Sequence, residues 1–372
     1  MDVIFFGAGA SREFGIPTTR EMVFEFRDSL KDPVVSGDYT DKALCGHIFS
    51  RLGEYPDFDI ETLVTVLEHI IDPSKTIQHV LTHPTLRYFP VMGASWNLIT
   101  KAIVEQSDRE NEVANRVLDK VKHFIIDKCG VVLHHGDKRF GILDQFFSSV
   151  FGGSTDFGIV RQSDYAIDNV LDVFSTNYDR IVELYCIYCR WVMNNGEGEV
   201  RDGTFSPRAG ELDLKSLTQI DRGCKIYKLH GTVNWYVDDD TGRAMFSPTV
   251  PEVGKRDLYG SRVRTNMLIF PMKDWYTFRE PYYPLFHALK AKLLDCKNCY
   301  VVGYSFRDDD ILGLFTDAMD LNRKLSLCLV DPFAQEIAHT KLESYQERLS
   351  LVPYKLSDER TPSMIQDYRR QH

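Results

Sequence analysis

Short runs of apolar and β-forming residues recur along this chain of 372 residues and predict the strands of a parallel sheet. The runs are Val3–Phe6, Leu171–Ser175, Lys225–Leu229, Met267–Phe270, Tyr300–Val302 and Ser326–Val330. Each run ends in polar, glycine or proline residues, and most precede a helical pattern. Because strands that alternate with helices are typical of α/β proteins, we predict a doubly wound, six-stranded parallel Rossmann-like sheet.

The segment between the first two runs has a helical pattern instead. Asp59–Ile71 carries apolar residues at helical spacing after an aspartate that can cap the helix, and Ser107–Lys128 predicts a longer helix. His134 and His135 lie in a Gly-flanked turn and are expected to be solvated rather than to bind a metal. We therefore predict a sheet domain at 1–38 and 165–372, interrupted at 39–164 by a helical insertion that serves as a lid or an assembly surface.

The composition is that of a folded protein, with 43% apolar and 26% charged residues. A net charge of −10 disfavours broad binding to nucleic acids or to anionic membranes. No stretch reaches the roughly 18 apolar residues of a membrane span, and the first residues do not resemble a signal peptide. Eight cysteines in a chain of this length do not form a secreted disulfide framework, so we expect a cytoplasmic protein.

Two Cys-x-x-Cys pairs, Cys186 with Cys189 and Cys296 with Cys299, have the spacing of zinc ligands. The first pair lies within a predicted helix, the second lies at the entrance to a buried strand, and a long stretch separates them. Buried free cysteines are the favoured interpretation of both pairs. We therefore expect no zinc site.

The turn after the first strand, Gly7-Ala8-Gly9-Ala10-Ser11, contains only small residues. Small side chains let a pyrophosphate approach backbone N–H groups at a helix N-terminus. Thr18 with Glu21 forms a capping-box pattern for the next helix. A dehydrogenase fingerprint would have a third glycine at the position of Arg12, so hydride transfer is disfavoured. A plain structural turn remains the alternative.

Polar or glycine-containing motifs also follow the other predicted strands. They are Ser175-Thr176-Asn177-Tyr178-Asp179, His230-Gly231, Gly303-Tyr304-Ser305 and Asp331-Pro332. Each motif alone has an ordinary reading as a turn or a helix cap. Ligands of doubly wound sheets bind beyond the carboxyl ends of the strands, and the joint placement therefore favours a ligand site. Asp308-Asp309-Asp310 is interpreted as a helix cap rather than as a metal site.

In their order and their residues, these motifs resemble those of the sirtuin-like NAD-consuming proteins. The sirtuin pattern Gly-Ala-Gly-x-Ser…Gly-Ile-Pro-x-x-Arg is similar to Gly7–Ser11 followed by Gly15–Arg20. The Thr-Gln-Asn-Ile-Asp element of the family is similar to residues 175–179, its catalytic His-Gly to His230-Gly231, and its adenosine loop to Gly303–Ser305.

The resemblance implies NAD as the substrate, with His230 as general base and Asn177 orienting a water molecule and the ribose. It implies further contacts to the dinucleotide from three sets of residues: Ala8, Gly9, Ser11 and Arg20 at the phosphates and ribose, Asp179 at the nicotinamide carboxamide, and Gly303, Ser305 and Asp331 at the adenosine.

Three departures from the family pattern disfavour a protein deacylase. Thr18-Thr19 replace the Asp-Phe of deacylases, no cysteine lies between His230 and Met267 to form their zinc module, and no acyl-peptide loop is recognisable at 270–273. The pattern resembles the sirtuin-like NADases of bacterial anti-phage defence, and among them the sirtuin-like subunit paired with a HerA-type ATPase.

That resemblance implies an NAD glycohydrolase that releases nicotinamide and ADP-ribose. It also implies a homo-oligomer with a possible HerA-type ATPase partner and no direct binding of nucleic acid. An NAD-dependent protein deacylase and a non-enzymatic nucleotide-binding scaffold are the alternatives.

Overall fold

The computed structural model describes residues 2–30, 41–55, 58–71, 108–131, 133, 137–151, 170–200, 210–218, 223–257, 262–268 and 282–371. The described residues form two compact units, one of residues 2–16 and 129–371 and the other of residues 17–128. His134, His135 and the stretch 269–273, for which the sequence carried predictions, lie outside the described residues.

The first unit is built around a sheet of eight strands. Seven neighbouring strands run parallel, and the eighth, at one edge, runs antiparallel. Their spatial order is β12 (Leu349–Val352), β11 (Ser326–Val330), β10 (Asn298–Val302), β1 (Asp2–Phe6), β2 (Val170–Ser175), β6 (Gly223–Lys228), β3 (Met193–Asn194) and the antiparallel β4 (Glu199–Val200). Parallel strands are buried on both faces, which is why most of them are continuous apolar runs. The predicted α/β class with a parallel sheet is confirmed.

Helices cover both faces of this sheet. Phe5 packs against Phe315 of helix α9 (Asp309–Leu321), with ring centroids 5.3 Å apart. Phe6 packs against Phe146 of helix α6 (Phe140–Phe151), with ring centroids 5.6 Å apart. Because successive side chains of a strand point to opposite faces, α6 and α9 lie on opposite sides of β1. The sheet is therefore doubly wound.

The remaining helices of the first unit connect or flank the strands. They are α1 (Ala8–Ser11), α7 (Ile181–Tyr188), α8 (Tyr283–Asp295), α10 (Ala334–Lys341) and α11 (Thr361–Gln371), with 3₁₀ turns at Arg12–Phe14, Leu214–Thr218 and Glu343–Arg348.

Met267 was predicted in the parallel sheet, and this prediction is wrong. It belongs to a separate antiparallel sheet with the order β5 (Gly210–Glu211), β8 (Ala244–Phe246), β7 (Gly231–Asp238) and β9 (Val263–Leu268). A short apolar run has the same appearance in either kind of sheet, so the pattern could not separate them. β12 and the two-residue β3 complete the parallel sheet instead.

The second unit contains helices α2 (Thr19–Ser29), α3 (Asp41–Leu52), α4 (Ile60–Ile71) and most of α5 (Asp108–Cys129). The predicted capping box is present, since Glu21 N donates to Thr18 Oγ1 at 3.3 Å and Thr18 N donates to Glu21 Oε2 at 2.9 Å. Asp59 caps α4 by accepting from Thr62 N at 2.9 Å. The role of residues 39–164 as a lid or an assembly surface stays a prediction. No helix in the described ranges has the length and apolarity of a membrane span.

Candidate active site

Five neighbouring strands end at one edge of the parallel sheet, and the sheet hydrogen bonds continue one residue beyond each end. The donor and acceptor pairs are Gly7 N to Val302 O (2.9 Å), Thr176 N to Phe6 O (3.1 Å), Leu229 N to Ser175 O (2.9 Å), Gly303 N to Val330 O (2.9 Å) and Asp331 N to Val352 O (3.1 Å). These bonds fix the backbone at or next to the start of each motif that the sequence singled out. Parallel strands lie about 4.8 Å apart, so the motifs of neighbouring strands are close in space.

Three of the predicted site residues form one continuous chain of hydrogen bonds. Asn177 Nδ2 donates to Ser11 Oγ at 2.7 Å, and Ser11 Oγ donates to Asp179 Oδ2 at 2.6 Å. The other carboxylate oxygen of Asp179 accepts from the N–H of Ile181 at 2.9 Å, at the start of α7. All three side chains belong to buried residues. Ser11 from the first turn is thereby joined to the motif that follows β2.

The side-chain amide of Asn177 is held in one orientation. Its Nδ2 also donates to the carbonyl of Gly7 at 2.9 Å, and a carbonyl can only accept, so Nδ2 and Oδ1 cannot be exchanged. Oδ1 is buried and has no hydrogen-bond partner within the described part of the chain. A buried amide oxygen without a partner costs about 1–3 kcal/mol, and a ligand hydroxyl or a water molecule would remove that cost.

His230 is buried and pairs with a carboxylate. Its Nε2 lies 3.2 Å from Asp308 Oδ2, and the two side chains are only 4% and 8% exposed. His230 follows β6, which neighbours β2, and its ring lies 6.4 Å from the ring of Tyr178, the residue after Asn177. Thr232 Oγ1 donates to the Tyr178 carbonyl at 2.9 Å and ties the two motifs together. The sheet thus brings the predicted amide and imidazole to neighbouring strand ends.

The glycine after His230 is required by a close backbone approach. Gly231 has a φ of +78°, and a Cβ there would lie 2.0 Å from the carbonyl oxygen of Met267. Only glycine takes this conformation at low cost with a neighbouring strand so near. The His-Gly pair therefore marks the point where the chain leaves the parallel sheet after β6 and enters β7, which pairs with β9.

The small residues of the first turn pack against the loop after β10. Gly9 N donates to Gly303 O at 2.9 Å, and a Cβ on Gly7 would lie 2.5 Å from the same oxygen. Gly303 has a φ of +64°, and a Cβ on it would lie 2.1 Å from Ala10 N. The glycines thus allow the backbones of two site loops to pack closely against each other, and this role does not depend on a ligand. The roles of Ala8 and Gly9 toward a phosphate stay predictions.

The loop after β10 exposes Ser305 between two buried aromatic residues. Tyr304 packs on Phe5 at 4.8 Å, and Phe306 packs on Phe315 at 5.1 Å between ring centroids. Phe306 has a φ of +54°, which costs a non-glycine residue about 1–2 kcal/mol. The packing of the two rings offsets this strain and leaves Ser305 exposed. The contact of Ser305 with adenosine stays a prediction.

Asp331 is a half-buried carboxylate at the end of β11. Its Oδ1 accepts from Phe333 N at 2.8 Å, as expected for an Asp-Pro turn. Burial raises the pKa of Asp331, and the Phe333 hydrogen bond offsets only part of this effect. Its contact with an adenosine ribose stays a prediction.

Arg20 belongs to the second unit, where it lies on α2. Its Nη1 donates to Tyr55 O at 3.4 Å, and its guanidinium carbon lies 5.9 Å from the centre of the Phe24 ring. Its predicted role at a phosphate stays a prediction.

Two features of the site were missed by reasoning from the sequence. Asp308 caps α9 as expected, since its Oδ1 accepts from Asp310 N at 3.0 Å, but its second oxygen is the partner of His230. Lys228, at the end of β6, donates to the Asp179 carbonyl and lies 3.7 Å from Glu183. Burial raises the pKa of Glu183, and the Lys228 charge opposes this effect. The two lysines, Lys225 and Lys228, in a predicted buried strand were the available signal for this second feature.

The eight cysteines are free and buried. The neighbouring Cys224 and burial both raise the pKa of Cys186, and burial raises the pKa of Cys296 to about 12. No three His, Cys, Asp or Glu side chains of the described ranges group as a metal ion would require.

Comparison with known proteins gives one family match. A family model for a SIR2-like domain matches residues 172–354, a stretch that includes Asn177, Asp179, His230, Gly303, Ser305 and Asp331 but not the turn at 7–11. No curated protein matches the chain. The stretch 172–354, from within β2 to the residues after β12, therefore resembles a SIR2-like domain.

Among solved structures, the chain is similar to a Sir2 homologue in complex with NAD, at 12% identity and a TM-score of 0.42, over 100% of this chain and 90% of that one. It is similar to a mutant Sir2 homologue in complex with ADP-ribose, at 12% identity and a TM-score of 0.41, over 100% of this chain and 92% of that one.

Proposed function

We propose that this protein is an NAD glycohydrolase, which cleaves the bond between nicotinamide and ribose to give nicotinamide and ADP-ribose. The observation that carries the proposal is the Asn177 amide, whose Nδ2 is fixed by Gly7 and Ser11 and whose buried Oδ1 has no partner within the described residues. It lies at the strand end beside the one that bears His230. The match of residues 172–354 to a SIR2-like domain supports NAD as the substrate.

The reaction adds one water molecule across one bond. As the glycosidic C–N bond breaks, nicotinamide leaves with the bonding electrons and becomes neutral, and the ribose carbon gains oxocarbenium character. A water oxygen then forms the new bond to that carbon. The proton that the water gives up passes to His230, since imidazole is a suitable base near neutral pH, and then to solvent.

The chain of Asn177, Ser11 and Asp179 would orient the substrate. Asn177 Oδ1 would accept a hydrogen bond from the attacking water or from a ribose hydroxyl, because its orientation is already fixed. Asp179 would contact the carboxamide of nicotinamide. Ser305 and Asp331, at the ends of the next strands, would hold the adenosine part of the substrate.

The test is to incubate the protein, purified alone and together with a co-expressed HerA-type ATPase, with NAD and to separate the products by chromatography. We expect nicotinamide and ADP-ribose in equal amounts, and a loss of at least about 100-fold in His230→Ala and Asn177→Ala. His339→Ala and Asn115→Ala are matched controls, because they make the same changes at exposed positions on α10 and α5. These controls should retain activity. Melting curves of all four variants separate a lost active site from a lost fold.

The outcomes separate the proposal from its alternatives. Turnover that requires an acylated peptide and yields an acyl-ADP-ribose would identify a deacylase instead. Binding of ADP-ribose without turnover, even with a co-expressed partner present, would identify a nucleotide-binding scaffold. Either result overturns the glycohydrolase.

We also propose that the activity depletes NAD during anti-phage defence and that it is latent until the chain assembles as a homo-oligomer with a HerA-type ATPase in the cytoplasm. The motif resemblance supports this context, and an unrestrained NADase would drain the cell. NAD consumption should therefore rise when the neighbouring ATPase is co-expressed. Full turnover by an isolated monomer would contradict the latency.

A further inference from the structure

The His230–Asp308 pair joins two motifs that lie far apart in the chain. The imidazole Nε2 and the carboxylate Oδ2 are 3.2 Å apart, and both side chains are nearly excluded from solvent. A carboxylate oxygen can only accept, so a neutral His230 must carry its proton on Nε2 to make this bond. No hydrogen bond within the described residues engages the other ring nitrogen, Nδ1.

Asp308 divides its two oxygens between two tasks. Oδ1 accepts from Asp310 N at 3.0 Å and from Ile311 N at 3.2 Å, and so caps helix α9. Oδ2 is the partner of His230. Because the cap requires an acceptor at the Oδ1 position, the carboxylate is held in one orientation, with its second oxygen toward the imidazole. The cap therefore fixes which atom faces the imidazole.

We propose that Asp308 is a positioning residue that holds neutral His230 as the Nε2–H tautomer, so that Nδ1 is the atom that accepts the proton from the attacking water. This inference rests on the proposed function, since it names the basic atom of the proposed general base. Asp308 acts through His230. It also ties the orientation of the base to the start of α9, in the same loop that carries Gly303 and Ser305.

Asp308→Asn is the informative variant, because it separates the two tasks. Asparagine caps helices about as well as aspartate, so its Oδ1 should keep the two backbone bonds. Its NH₂ group must then face His230 Nε2 as a donor, and this contact requires the Nδ1–H tautomer. Asp308→Asn should therefore invert the tautomer of His230 while α9 stays intact. Such an inversion removes the basic atom from its place, and a corresponding Asp→Asn change in serine proteases lowers kcat about 10⁴-fold.

The experiment measures ¹⁵N spectra of the full-length chain with ¹⁵N-labelled histidine, in which the His230 signals are identified by their absence in His230→Gln. In the wild type, we expect Nε2 to be the protonated nitrogen. In Asp308→Asn, we expect Nδ1 to be protonated, an unchanged melting temperature, and a fall in kcat for NAD of at least about 100-fold with little change in KM. Asp309→Asn makes the same chemical change at the next, exposed position and should leave spectrum and turnover unchanged.

Two results would overturn the inference. One is a His230 tautomer that is the same in the wild type and in Asp308→Asn, because Asp308 would then not determine it. The other is an inverted tautomer with undiminished turnover, because Nδ1 would then not be the base. Absence of turnover in the wild type, measured with the co-expressed ATPase present, would refute the proposed function instead, and the spectra would still decide whether Asp308 sets the tautomer.

Discussion

Gly303→Ala tests the close approach on which the site depends. Gly303 has a φ of +64°, and a Cβ would lie 2.1 Å from Ala10 N and 2.5 Å from Gly9 C. Placing alanine in the left-handed region costs about 1–2 kcal/mol. Overpacking in a close-packed interior costs about 1–3 kcal/mol more, and here the obstructing atoms are backbone and cannot turn aside. We therefore expect Gly303→Ala to lower the free energy of unfolding by about 2–5 kcal/mol.

Thermal unfolding, followed by circular dichroism, measures this change. For domains of 150–250 residues, 1 kcal/mol corresponds to roughly 2–4 °C, so the melting temperature should fall by at least about 4 °C. Gly313→Ala is the matched control, because Gly313 lies within α9 and a Cβ there would meet no atom within 4 Å. Alanine in a helix interior should raise stability by about 0.5–1 kcal/mol. Equal melting temperatures for the two variants would refute the reasoning.

Three further predictions concern other parts of the chain. Lys228→Met should destabilise the fold by about 3–5 kcal/mol in denaturant titrations because it leaves Glu183 buried without its counter-charge, and adding Glu183→Leu should restore most of the loss. Because burial raises the pKa of Asp331, its carboxylate forms at higher pH than that of an ordinary aspartate. ADP-ribose affinity measured by calorimetry should therefore keep rising with pH above the ordinary aspartate pKa, and Asp331→Asn should remove this slope. Asp59→Ala should lower the free energy of unfolding by about 0.5–2 kcal/mol, because it removes the cap of α4. Amide hydrogen exchange in α4 should accelerate in this variant, whereas Asp59→Asn should keep the protection of the wild type.

The sheet could be predicted because its central strands are buried on both faces. β1, β10 and β11 consist almost wholly of buried residues, and a short apolar run followed by a turn is a sufficient signal for such a strand. β12 is mostly half-buried at the sheet edge, and β3 has only two residues, so neither has a run to recognise. The error at Met267 has the same origin, because the pattern records burial and not the direction of the neighbouring strand.

The positions of the predicted site residues followed from topology. Parallel strands that neighbour one another end at one edge, so residues placed after separate strands meet without any local signal that links them. This reasoning applies to Ser11, Asn177 and Asp179, which form one chain of hydrogen bonds. This reasoning does not apply to Arg20, because Arg20 belongs to the other unit. The role of Arg20 stays a prediction.

Asp308 could not be predicted as the partner of His230, because helix capping already explained the presence of an aspartate at this position. Asp308 opens a run of three acids before a helix, and capping accounts fully for that pattern. A cap uses one carboxylate oxygen, however, and only the fold shows where the second oxygen points. A capping aspartate after a strand of a parallel sheet therefore has one oxygen available for the residues that follow the neighbouring strands. In this protein that oxygen meets the imidazole, and local helix chemistry and the proposed proton transfer depend on the same side chain.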